Sequence, residues 1–110
     1  MKGNLFDLIP SELPEEVFQT LVQSGTLKVE RIISRGHATP EGQWYDQAHN
    51  EWVVLLSGGA RLTIEGKEGF VEMKPGDYVM LPAGLRHRVD WTDPEQDSVW
   101  LAINFQLTVL

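Results

Sequence analysis

Cysteine is absent from the chain. That excludes disulfides, thiolate zinc sites and thiol nucleophiles, and it accords with a reducing compartment. Positive charge is scarce as well, with 9 Lys and Arg against 16 Asp and Glu and a net charge of −7. A surface of that sign repels phosphate backbones and anionic bilayers, so neither nucleic acid nor a membrane is expected as a partner. No apolar run approaches the ~20 residues of a membrane span. Asp7 and Pro10 interrupt the stretch where a signal peptide would need continuous apolar residues, so the expected location is the cytoplasm. The serines lack a G-x-S-x-G setting and the glycines form no phosphate loop. Histidine is confined to His37, His49 and His87.

At 110 residues the chain has room for one domain, expected to run from residue 1 to 110. The 42% hydrophobic content, with four Trp and four Phe, is that of a chain with a packed core. Pro14, Glu15 and Glu16 suit a first helical turn, Val17, Phe18, Leu21 and Val22 fall at helical spacing, and Gly25 supplies a stop. This predicts one amphipathic helix at about 14–24, within an arm covering 1–26. From Leu27 to about residue 106 the pattern becomes short β-like runs broken by turn chemistry. The runs are Leu27–Ser34, Trp44–Gln47, Trp52–Leu56, Ala60–Glu65, Gly69–Met73, Tyr78–Leu81, His87–Trp91 and Val99–Phe105. Glycine and proline punctuate them at Gly42, Gly58-Gly59, Gly66, Pro75-Gly76, Pro82-Ala83-Gly84 and Pro94. Such spacing predicts an antiparallel sandwich or small barrel rather than a βαβ fold.

Strand side chains alternate between two faces. His87, Val89 and Trp91 therefore share one face and Arg86, Arg88 and Asp90 the other, while Val99, Leu101, Ile103 and Phe105 oppose Trp100, Ala102 and Asn104. The corner at Pro82-Ala83-Gly84 aims the next strand so that His87 is its first inward residue. Glu51 lies on the face of Val53 and Leu55 and is expected to converge with His87. A carboxylate and an imidazole in an apolar cup must be paired or metal-bound to be tolerated.

Gly76, Pro82, Gly84 and His87 fill G-x5-P-x-G-x2-H, and Glu51 with Gly58 fills E-x6-G. Together these motifs resemble the two conserved motifs of the cupin superfamily, and the 17 residues between Gly58 and Gly76 match the short inter-motif loop of small prokaryotic members. The run Trp44-Tyr45-Asp46-Gln47, with Glu51-Trp52 and Arg86-His87-Arg88-Val89, is similar to a subgroup of small bacterial single-domain cupins of the conserved-barrel type. The resemblance implies an all-β fold, an antiparallel double-sheet jelly-roll barrel, paired as a homodimer through the N-terminal arm and Trp52, Val54 and Leu56. It also implies a divalent metal (Fe, Mn, Zn or Ni) in the barrel mouth, acting on a small molecule.

His87 and Glu51 are the expected metal ligands, with Gln47 or His49 completing the set. The two histidines of the first motif are missing, since its positions fall on Tyr45 and Gln47, or on Trp44 and Asp46. His49-x-Glu51 with His87 reads as a two-histidine, one-carboxylate triad, or else His49 is a solvated loop residue. The competing reading is a metal-free module that binds a small ligand or serves dimerisation, with His87 a hydrogen-bonded core residue. Tyr45 and Asp46 are candidates for proton transfer. Tyr45 and Trp91 either line the pocket or belong to the core. Arg86 and Arg88 form a solvated face, or an anion clamp at the rim.

Overall fold

The structure is a computed structural model, described for residues 1–106. Its eight strands are β1 (Val17–Ser24), β2 (Leu27–Ser34), β3 (Asn50–Ser57), β4 (Ala60–Ile64), β5 (Val71–Met73), β6 (Tyr78–Leu81), β7 (His87–Thr92) and β8 (Ser98–Phe105). They form a five-stranded sheet in the order β1-β2-β8-β3-β6 and a three-stranded sheet in the order β5-β4-β7. All pairings are antiparallel. Val53, Leu55, Leu81, Trp100 and Ala102 of the larger sheet meet Ala60, Leu62 and Met73 of the smaller one in a single apolar core.

The helix expected at 14–24 is a strand. Val17 to Ser24 pairs antiparallel with Leu27 to Ile33 along most of its length. Only Gly25 and Thr26 separate Ser24 from its partner Leu27, and Gly25 has φ of 56°, so the supposed helix stop is a tight hairpin turn. A register shift between Thr20 and Val22 disturbs the period-two alternation and produces the pseudo-helical spacing of Val17, Phe18, Leu21 and Val22. Pairing with β2 overrides a weak local preference. On this edge strand Phe18, Leu21 and Val22 remain exposed. Trp44–Gln47 contributes only one bridge, Tyr45 to His87.

A second irregularity decides a site residue. Leu62 pairs with Val89 but Arg61 pairs with Trp91, so Asp90 is an extra residue in β7. The bulge reverses the phase beyond it. Trp91 consequently turns away from the cavity, with the Arg61 guanidinium 4.9 Å from its ring centroid. Thr92 takes the inward place, 1% exposed, and its hydroxyl donates to the His37 carbonyl at 2.6 Å. Replacing Thr92 with Val is expected to cost about 1–2 kcal/mol, because the His37 carbonyl loses its donor while side-chain volume is kept. The urea midpoint measures this; an unchanged midpoint would remove the bond from the account.

The segment between β2 and β3 is held from several sides. Thr39 N–H donates to the Val89 carbonyl at 2.8 Å, and its hydroxyl accepts from Val89 N–H at 2.9 Å. Arg88 donates to the carbonyls of Thr39 at 3.0 Å and Gln43 at 3.2 Å, and pairs with Asp90 at 2.9 Å. Arg86 lies near Glu65, its charge 5.2 Å from the Trp44 ring centroid. Both arginines thus work outside the barrel: Arg88 pins the connecting segment and neither lines the cavity.

Candidate functional site

Between the sheets lies a cavity of about 100 Å³, walled by residues from most strands. Its apolar floor is Val53, Leu62, Leu81, Val89 and Trp100, and Phe18 and Ile32 stand toward the edge strand. Four polar residues enter it from the motif positions: Tyr45, Gln47, Glu51 and His87. Each has a local reason to be there. Glu51 shares the inward face of β3 with Val53 and Leu55. Tyr45 and His87 exchange backbone hydrogen bonds at 2.7 and 3.1 Å, which fixes the connecting segment to the start of β7. Gly84 N–H donates to the Gln47 carbonyl at 2.8 Å, so the Pro82-Ala83-Gly84 corner also seats Gln47.

His87 is 5% exposed. Its Nδ1 lies 3.1 Å from the Leu85 carbonyl, which can only accept, so Nδ1 carries the proton and Nε2 keeps a lone pair. The Tyr45 ring stacks on the imidazole, with centroids 5.4 Å apart and planes inclined by 19°. Burial lowers the His87 pKa, only partly offset by the Leu85 carbonyl, so the neutral imidazole is favoured.

Burial pushes the Glu51 carboxyl up to about 7, and the Glu30 carboxyl adds to the rise, while a hydrogen bond from Gln47 opposes it. Burial, followed by the charges of Glu16 and Glu51, also raises Tyr45 and holds its phenol neutral. At neutral pH the motif positions thus present a phenol, an amide, a carboxyl group poised to gain or lose a proton, and a neutral imidazole.

These donors do not fit a full divalent-metal site. Among the described residues, no three or more His, Asp and Glu side chains gather closely enough to hold an ion. His49, the expected auxiliary ligand, is outside the cavity lining, with Nε2 2.9 Å from the Asn104 side-chain oxygen. Gln47 contributes a neutral amide, and Tyr45 is held away from the phenolate that would ligate. His37 is likewise occupied elsewhere, accepting from the Arg35 N–H at 2.9 Å.

Three site residues escaped the motif-based reading. Glu16 and Glu30 line the cavity, and Asn104 links Glu30 to the loop histidine: its amide donates to Glu30 at 3.1 Å. Ser34 donates to Glu16 at 2.7 Å, and Lys28 lies 3.3 Å from Glu30. The alternation of β8 places Asn104 on the face of Trp100 and Ala102, a usable signal. Glu16 and Glu30 depend on which long-range pairings bring β1 and β2 over the mouth.

A family model for the cupin domain matches residues 32–104. No curated protein sequence matches the chain. Among solved structures, a Ralstonia eutropha protein provisionally named a mannose-6-phosphate isomerase is 46% identical, covers 97% of this chain and 99% of its own, and superposes with a TM-score of 0.94. A cupin superfamily protein from Desulfitobacterium hafniense shares the fold at 17% identity, over 90% of this chain and 84% of its own, with a TM-score of 0.72.

Proposed function

The chain belongs to the cupin family, and from that premise we propose that it is a small-molecule-binding cupin whose Glu51 and His87 move a proton on the bound ligand. The observation that carries this reading is the convergence of Tyr45, Gln47, Glu51 and His87 on one largely apolar cavity. A carboxyl near pH 7 beside a neutral imidazole is the pairing that acid–base chemistry at neutral pH requires. His87 Nε2 can take a proton while the Glu51 carboxyl gives one, and the Tyr45 hydroxyl can hold an oxygen of the ligand.

The Ralstonia relative's name brings sugar-phosphate isomerisation into consideration, which transfers a proton between neighbouring carbons. Glu51 and His87 supply the acid–base half of such chemistry. A cationic seat for the phosphate has no counterpart among the lining residues, none of which is Lys or Arg. The metal reading, with Fe, Mn, Zn or Ni on His87 and Glu51, is weakened by the donor set described above.

Elemental analysis and thermal shift on untagged protein separate the two. We expect far less than stoichiometric metal, and a melting temperature indifferent to Fe(II), Mn(II), Zn(II) and Ni(II). In parallel, saturation-transfer NMR with a mixture of hydroxy-, carbonyl- and amino-bearing fragments should give hits that vanish in Val89→Phe, which fills the cavity. Stoichiometric metal that disappears in His87→Ala, or a fragment screen in which Val89→Phe changes nothing, would overturn the proposal.

A further inference from the structure

The cavity has a chemical bias beyond its acid–base pair. Its polar wall is rich in acceptors: the carboxyl groups of Glu16, Glu30 and Glu51, the Gln47 side-chain oxygen and the lone pair of His87 Nε2. Among the described residues His87 Nε2 has no hydrogen-bond partner in the protein, although the residue is 5% exposed and lines the cavity. The remaining wall is aromatic or aliphatic, with Phe18, Tyr45 and Trp100 offering π surface. Among the described residues the only basic side chain paired with these acids is Lys28, which is 40% exposed and approaches Glu30 from outside the lining. Arg31, the neighbouring cation on β2, faces away and is spent on the N-terminal arm, donating to the Asp7 carbonyl at 2.5 Å and also to Gln19.

Acceptors outnumber the donors, which are the Tyr45 hydroxyl and a Gln47 amide already turned to Glu51, and together with the aromatic faces and the lack of a lining cation they select against an anion and for a cation with several N–H groups. An anionic ligand would meet the carboxyl groups that line this cup, whereas an ammonium group would be drawn to them. Resting on the small-molecule reading above, we infer that the cavity takes a small molecule bearing a protonated primary amine. The ammonium contacts the Glu51 carboxyl and His87 Nε2, the charges of Glu30 and Glu16 face it from farther along the wall, and the short carbon portion lies against Trp100 and Val53.

Three probes matched in size test this on the intact chain at pH 8: n-butylamine, 1-butanol and butyrate, followed by ¹⁵N–¹H NMR titration. The amine is charged at this pH. It should shift the Trp100 indole and the amides of Val53 and His87 saturably, and bind at least about tenfold more tightly than butanol, while butyrate leaves these signals in place. Glu30→Gln should weaken the amine about tenfold and leave butanol unchanged; Glu16→Gln gives the same reading if the first variant does not fold. Equal binding of butanol and butylamine overturns the amine inference and leaves the pocket reading intact. It is overturned equally by preferred binding of butyrate, or by amine shifts confined to exposed acids such as Glu68 and Glu72. Failure of the pocket reading is seen separately, in metal stoichiometry and in fragment hits that ignore Val89→Phe.

Discussion

Glu51→Gln is expected to stabilise the protein by about 3 kcal/mol at pH 8 and by almost nothing near pH 4.5. The folded chain holds the Glu51 carboxyl at about 7, against its ordinary value of 4.5, chiefly because burial disfavours the charged form. Between those two values the folded state keeps a proton that the unfolded state has released. Stability contributed by this group therefore falls as pH rises through that window and levels off above it. Glutamine keeps the shape and the hydrogen-bonding contact with Gln47 but has no charge to desolvate. The difference between variant and wild type should open between pH 4.5 and 7, and reach on the order of 10 °C in melting temperature at pH 8. Urea titrations of both proteins across this range measure it. Parallel curves with no pH-dependent gap would mean that Glu51 is solvated, and would remove the basis for its acid–base role. A natural sequence that retains such a cost at one position is spending stability on function, since an amide there would fold better.

The parts of this site that could be read from the chain are those set by local chemistry. Gly58, Gly76, Pro82, Gly84 and His87 announce corners whose backbone geometry is fixed within a few residues, and Gly58, Gly76 and Gly84 have φ of 85°, 94° and 80°. Glu51 followed because it lies two residues from Val53 and four from Leu55 on one face. The parts that could not be read are set by pairing at a distance. Val17–Ser24 resembles a helix until β2 is laid beside it, and the shift around Leu21 is what hides its strand character. Trp91 shares a formal face with His87, but an extra residue at Asp90 turns it outward, and nothing in Arg88-Val89-Asp90-Trp91 marks that bulge. Glu30 reaches the mouth because β2 lies between β1 and β8, an order that no local pattern encodes. The acidic wall thus emerges only with the topology, whereas the convergence of Glu51 and His87 is legible in two short motifs, where the two residues read as metal ligands.

Gly58→Ala is expected to be the most damaging single substitution, costing at least ~4 kcal/mol and leaving little folded protein. Gly58 closes the first motif at the turn between β3 and β4, with φ of 85°. A Cβ there would lie 2.6 Å from Ser98 Cα and 2.8 Å from the Asp97 carbonyl, and nearer still to the Ser98 hydroxyl. Backbone cannot swing aside as a flexible side chain can. Neither can Ser98, whose hydroxyl donates to the Gly59 carbonyl at 3.1 Å, nor Asp97, whose carboxylate accepts from Arg35 at 2.7 Å. Gly84→Ala separates the two components of the effect. Gly84 has φ of 80°, but a Cβ there meets nothing within 4 Å, so only left-handed strain is added, about 1–2 kcal/mol. Soluble yield and urea midpoints of the two variants make the comparison: Gly84→Ala folded with a modest loss, Gly58→Ala insoluble or unfolded. Comparable stabilities would show that β8 can yield at Ser98. If β8 cannot yield, Gly58 is required because the β3–β4 turn rides directly on the first residue of β8, and that contact holds Glu51's strand at the depth where it faces His87.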